Sequence, residues 1–190
     1  MWEKITSFYQ YLSHEKNYSS NTVISYQNDI NNFIYFIKNI VGRELNEEVL
    51  VNLEHRDFRA WLGHRSSNNL SNRTNARALS SVRSLFKFLE KKYGIFNEII
   101  FKVKGPKFSK ILPKNMTKNN ILKMIQCIQV FDGEEWEVKR DTALVMLIYC
   151  CGLRISEALS LGDKSFIERD KIKILGKGRK ERIIFVLPIA

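Results

Sequence analysis

Residues 103–114, VKGPKFSKILPK, place two prolines, a glycine and four lysines between stretches of regular apolar periodicity. Proline fixes φ and removes a backbone donor, and glycine weakens helices and strands alike, so no long element runs through such a segment. The chain is therefore read as two units, 1–104 and 114–190, joined by a basic linker at 105–113. Fully extended, the segment reaches about 40 Å. That length suits a cationic strap along a phosphate backbone and, equally, a solvated linker.

Apolar residues before the break recur at three- and four-residue steps, the period of a helix. Ile5, Phe8, Tyr9 and Leu12 form a first face, and Val23, Tyr26, Ile30, Phe33 and Ile37 a second. The second follows a Ser/Asn/Thr start signal and stops at Gly42. A shorter run, EHRDFRAWLGHR, brings Phe58, Trp61 and Leu62 together, and a fourth helix is expected from about Ser71 to Tyr93. After the break, TKNNILKMIQCIQVF predicts a helix opened by Thr117. EVKRDTALVMLIYCCGL predicts a mostly buried one starting near Asp141 or Thr142, and SEALSL a further turn or two ending around Gly162. In KIKILGKGRKERIIFVLP the period changes to two, around a basic glycine-bearing bend, which predicts a two-stranded hairpin.

The net charge of +11 favours a polyanionic partner, nucleic acid before an acidic membrane surface. Residues 1–110 carry 17 Lys and Arg against 10 Asp and Glu. Cys127, Cys150 and Cys151 are odd in number and read as buried free thiols of a reducing compartment, here the cytoplasm. No Cys/His spacing suggests a metal, and no apolar stretch reaches the roughly 18 residues of a membrane span.

Two features are able to carry chemistry. On a helical wheel with Arg73 at the origin, Arg77, Ser84, Lys87 and Lys91 fall within about 40°, while Leu79, Val82, Leu85, Phe86, Leu89 and Tyr93 lie opposite. Such a face can meet phosphates and groove edges, or simply be solvated. The second feature is Arg154 with Lys177. The planar fork of arginine suits a phosphate, and Glu157, one turn on, is placed to hold it. A lysine in a glycine-bearing bend can contact a phosphate or donate a proton. The alternative is an Arg154–Glu157 structural pair beside a solvated turn.

The string RDTALVMLIYCCGLRISEALSL, with ILGKGRKERIIFVLP placing Lys177 23 residues after Arg154, resembles the tyrosine recombinases (the phage-integrase family), most of all the bacterial Xer type. SYQNDINNFIYFI and RALSSVRSLFKFLEKK resemble that family's core-binding domain, and GPKFSKILPK its linker. The resemblance implies a mainly α protein: a four-helix SAM-like core-binding domain, then the N-terminal part of the α+β catalytic domain, helices plus a β-hairpin. It implies site-specific recombination of double-stranded DNA by recombinase homo- or hetero-oligomers, with no membrane partner. Arg154 would clamp the scissile phosphate and Lys177 would act as general acid, with Glu157 supporting. Arg73, Arg77, Ser84, Lys87, Lys107 and Arg179 would contact DNA. A tyrosine nucleophile forms a 3′-phosphotyrosine, so neither cofactor nor metal is implied.

The family pattern continues with His-x-x-Arg, a further His or Trp, and the nucleophilic tyrosine. Here the last histidine is His64 and the last tyrosine is Tyr149, which is expected in the core of its helix. The resemblance thus implies a chain truncated before the nucleophile that binds DNA without cleaving it alone. A retained non-catalytic DNA-binding module and an unrelated helical DNA-binding regulator are the other readings.

Overall fold

Ser19 and Ser71 each accept a hydrogen bond from the backbone N–H three residues on, at 3.4 and 3.2 Å, and so open the two longest helices of the first half. The computed structural model describes residues 1–40, 42–109, 112, 115–168, 170–176 and 180–186. The chain divides into two compact units, Met1–Ile111 and Leu112–Ala190.

In the first unit α1 (Trp2–Gln10) runs into a π-helical turn, Tyr11–Glu15, and α2 (Ser20–Tyr35) into another, Phe36–Ile40. The short α3 (Glu47–Val51) precedes α4 (His55–Ser67), and α5 (Asn72–Tyr93) is followed by the single turn α6 (Ile99–Lys102). The four long helices coincide with the four periodic runs. Their apolar faces meet in a core where Phe33 lies edge-on to Trp61 at 5.1 Å and parallel to Phe58 at 5.9 Å. Leu79, Val82, Leu85, Phe86 and Leu89 close it from α5, all essentially buried. Burial of such side chains contributes about 1.5–3 kcal/mol each, so the amphipathic wheel of α5 fixes which of its faces is left open.

The segment after α6 stays with this unit. Val103 is buried, Arg83 donates from Nε to the carbonyl of Ile100 at 3.1 Å and from Nη2 to that of Val103, and Asn72 donates to the carbonyl of Lys107 at 3.1 Å. Residues up to Lys107 are thereby laid along α5.

The second unit holds α7 (Lys118–Val130), capped by Thr117 as expected, α8 (Glu135–Cys151), the short α9 (Ile155–Leu159) and a three-stranded antiparallel sheet. Strands β2 (Lys171–Leu175) and β3 (Glu181–Phe185) pair in register Ile172 with Ile184. The sheet has one strand more than expected: β1 (Phe166–Glu168) adds to β2, and three residues are too few to show an alternating pattern. Helix α8 corrects two expectations. It begins at Glu135, where the N–H of Glu134 donates to the Glu137 carboxylate at 3.2 Å, six residues before Asp141. It also contributes no fully buried residue, and Tyr149 is 44% exposed rather than core. The cause is the small core against which it packs, Leu153, Ala158, Ile172 and Ile174, which cannot cover a helix apolar on every side. The three cysteines are free thiols, as expected, but none is buried: Cys127 on α7 is exposed, and Cys150 and Cys151 at the end of α8 are half-buried. Among the described residues no helix is long and apolar enough to cross a membrane.

Candidate functional site

Each unit presents one arrangement with chemical potential. In the first, the open face of α5 carries Arg73, Arg77, Ser80, Lys87 and Lys91 exposed and Ser84 half-buried. From Arg73 to Lys91 the face runs about 27 Å at the helical rise. Three adjoining depressions follow it. The first joins Arg73, Thr74, Arg77 and Ser80 to Phe108, the second joins Ser80, Arg83, Ser84 and Lys87 to Phe101, and the third joins Ser84, Lys87, Lys91 and Lys92 to Tyr11, Lys16 and Tyr18. Cations and hydroxyls line most of the track, Glu15 adds one carboxylate to the third depression, and aromatic rings edge it, with the ammonium of Lys87 5.9 Å from the ring centre of Phe101. Ser80 lies on the same wheel face as the expected contacts and was legible there. Lys16, Tyr11 and Tyr18 reach the track from the turn after α1, about seventy residues away, where no local pattern could have placed them.

Arg77 is held as well as exposed. Its Nη2 donates to Oδ1 of Asp29 on α2 at 3.1 Å, while its side chain remains 51% exposed. Lys107 is exposed, and its backbone is tied to Asn72 at the start of α5.

In the second unit Gly152, at φ +65°, ends α8 in the left-handed region that glycine adopts without steric cost, and the chain turns so that Arg154 caps α9. Glu157 is the centre of the cluster, 4% exposed. Its carboxylate accepts from the Arg154 backbone N–H at 2.9 Å and from Arg154 Nη1 at 2.7 Å. It also receives both ends of the Arg182 fork from β3, at 3.0 and 2.8 Å. Arg182 was not singled out in the sequence, because a strand arginine looks like any other alternating polar position. The fork needs room beside the hairpin: a Cβ at Gly176 would stand 3.0 Å from Arg182 Nη1 and 3.3 Å from the Lys180 carbonyl. Arg154 is thus a paired cation, yet its side chain is 63% exposed, which leaves guanidinium donors for an outside anion. Lys177 and Arg179, both expected at this hairpin, lie outside the described residues.

The carboxyl of Glu157 is held down at about 2, against an ordinary value of 4.5. The Arg182 hydrogen bonds act most strongly, then the Arg154 backbone N–H, with burial opposing them. A folded value below the unfolded one means the carboxylate's stabilisation is complete above about pH 4.5 and is lost as pH falls toward 2. The second unit is therefore expected to lose its near-UV circular dichroism across that window. Glu157→Gln, which cannot ionise, should flatten this acid limb and lower thermal stability at pH 7. An unchanged acid limb in Glu157→Gln would remove Glu157 from the cluster's centre.

Residues 5–92 match the family described as phage integrase, N-terminal SAM-like domain. Over 187 residues, 98% of this chain and 61% of the relative, the sequence is 40% identical to the tyrosine recombinase XerC of Rickettsia prowazekii (strain Madrid E). The chain is similar to tyrosine recombinases over almost its whole length. It is also 38% identical over 188 residues to the XerC of Rickettsia bellii (strain OSU 85-389), covering 99% of this chain and 62% of that one. The chain spans about three fifths of the length of these curated recombinases. Among solved structures it shares its fold with a λ integrase (75–356) dimer bound to a COC′ core site, with a TM-score of 0.71, 13% identity and coverage of 97% of this chain and 62% of that one. It likewise resembles the XerH site-specific recombinase in a post-cleavage complex with a palindromic difH substrate, with a TM-score of 0.67, 20% identity and coverage of 92% and 51%. The mainly helical fold with a small antiparallel sheet is the fold of these recombinases.

Proposed function

We propose that this chain binds duplex DNA as a site-specific recombinase of the Xer type does, with the α5 face as the main contact and the second unit supplying the phosphate clamp. The observation that carries the reading is the track, rich in cations and hydroxyls, along one side of α5, a helix whose opposite face packs into the core. Phosphate contacts of this kind position a protein on DNA with little sequence preference. Arg73, Arg77, Ser84, Lys87, Lys91 and Lys107 are the proposed contacts of the first unit and Arg179 that of the hairpin.

In the second unit Arg154, steadied by Glu157, is proposed to grip the scissile phosphate and stabilise the charge that develops on it in the transition state. Lys177 is proposed as the proton donor to the leaving 5′ oxygen. Neither residue is a nucleophile, and no tyrosine of this chain is assigned that role. Tyr149, the one tyrosine of the second unit, precedes Arg154 on α8, whereas the family pattern places its nucleophile after the hairpin. Assembly with further recombinase copies on DNA is proposed by analogy with the dimeric λ integrase complex.

The experiment is the salt dependence of duplex binding by the full chain, measured by fluorescence anisotropy on labelled duplexes of unrelated sequence. The five cations proposed for the first unit alone predict a slope of log K against log salt of about −4 to −5, since each contributes about −0.9. A slope shallower than about −1 on every duplex would defeat the reading.

A further inference from the structure

We propose that Asp29 is a positioning residue of the DNA interface: a buried carboxylate on α2 that fixes the guanidinium of Arg77 on the open face of α5, ready for one backbone phosphate. The inference rests on the DNA-binding reading of that face. Asp29 is 2% exposed, an expensive place for a carboxylate unless its charge is met. Two arginines and one hydroxyl meet it. Ser81 Oγ donates to Oδ2 at 2.9 Å, Arg77 Nη2 to Oδ1 at 3.1 Å, and Arg65 Nη2 stands 3.8 Å from Oδ1.

The two arginines are not equivalent. Arg65 is 4% exposed and committed to the interior, where its Nε donates to Asn75 at 3.0 Å and its Nη1 to Asn32 at 2.7 Å. Asn32 also accepts from Trp61 Nε1 at 3.1 Å, so Arg65 is locked into the helix packing. Arg77 is half exposed, and among the described residues its guanidinium meets no acceptor other than Asp29.

One carboxylate against two guanidinium groups leaves this cluster with one positive charge in excess. Arg65 has no access to solvent, so the excess is presented at Arg77. A phosphate oxygen on the outer edge of that fork completes the charge balance and uses the donors Asp29 leaves free. A long arginine side chain otherwise samples many rotamers, and ordering it on binding costs affinity. Asp29 meets that cost in the free protein.

The positioning role has a signature that simple electrostatics does not. Removing a negative charge from a protein strengthens its attraction to a polyanion, so if Asp29 acted only through its charge, Asp29→Asn would bind DNA more tightly. Positioning predicts the reverse. Asp29→Asn, which keeps the size and an acceptor for Ser81, should weaken duplex binding by the full chain about fivefold near 0.15 M salt and flatten the salt slope by about 0.9, the share of one phosphate. Arg77→Ala should do the same, and adding Asp29→Asn to it should cause little further loss, because both act through one contact. Should Asp29→Asn fail to fold, Asp29→Asn with Arg65→Met removes both buried charges together and should show the same loss while Arg77 remains. Unchanged or tighter binding by a folded Asp29 variant, beside an Arg77→Ala that does weaken binding, overturns the positioning role and leaves the DNA reading standing. A parent chain without salt-dependent binding overturns the DNA reading itself.

Discussion

Arg154→Ala is expected to lower DNA strand cleavage by about 10²- to 10³-fold, the usual cost of one preorganised donor to a developing oxyanion. Duplex affinity should stay within about fivefold, the share of one phosphate contact. The measurement needs a protein that cleaves, so residues 1–190 would be joined to the segment of a Rickettsia XerC relative carrying the family's later histidine, arginine and tyrosine. Covalent protein–DNA adduct on a nicked duplex is then scored by denaturing electrophoresis. The structure explains why the variant should remain folded. Glu157 keeps both ends of the Arg182 fork and the backbone N–H at position 154, and only the 2.7 Å bond to Arg154 Nη1 is lost. Arg154→Lys should recover little, since a point charge cannot reproduce a fork held by Glu157 on one side and phosphate on the other. Full cleavage by Arg154→Ala would return Arg154 and Glu157 to the status of a structural pair.

The first unit was far more legible than the second. Its longest helices carry their own start and stop signals, Ser19, Ser71 and Gly94, and each buries one apolar stripe, so pattern and burial largely agree, with Tyr9, Val23, Tyr26 and Tyr93 half-buried against the core. Ser81 and Asn75 are the exceptions: polar residues on the packed side of α5, buried at 3% and 0%, which a wheel of apolar positions does not explain. Their partners, Asp29, Arg65 and Ser66, come from α2 and α4, and local periodicity cannot report such long-range pairing. The second unit misled for a related reason. The apolar run in α8 reads as core on composition, whereas burial depends on what lies opposite, and Tyr149 and Cys150 meet too little there to be covered. At the candidate site, the sequence pointed to Arg154 and Glu157 through their one-turn spacing. Arg182 reaches the same carboxylate across 25 positions, a pairing that only the fold makes.

Replacing Arg73, Lys87 and Lys91 together with alanine is expected to weaken duplex binding about 10²-fold near 0.15 M salt and flatten the salt slope by nearly 3. Each lost phosphate contact removes about 0.9 from the slope and so about fivefold in affinity at that salt. All three side chains are exposed, and alanine is the best helix former, so α5 itself should be undisturbed. A fall in affinity alone would not assign the interface, because the triple variant also drops the formal net charge from +11 to +8. The comparison that decides is a second triple variant with the same charge loss, Lys118→Ala, Lys123→Ala and Lys139→Ala, on exposed positions of α7 and α8. If the α5 face holds the duplex, the first variant loses affinity and slope while the second changes both only slightly, through screened long-range attraction. Equal losses in the two would mean that the chain is drawn to DNA by its overall charge and that the track along α5 is only its solvated side.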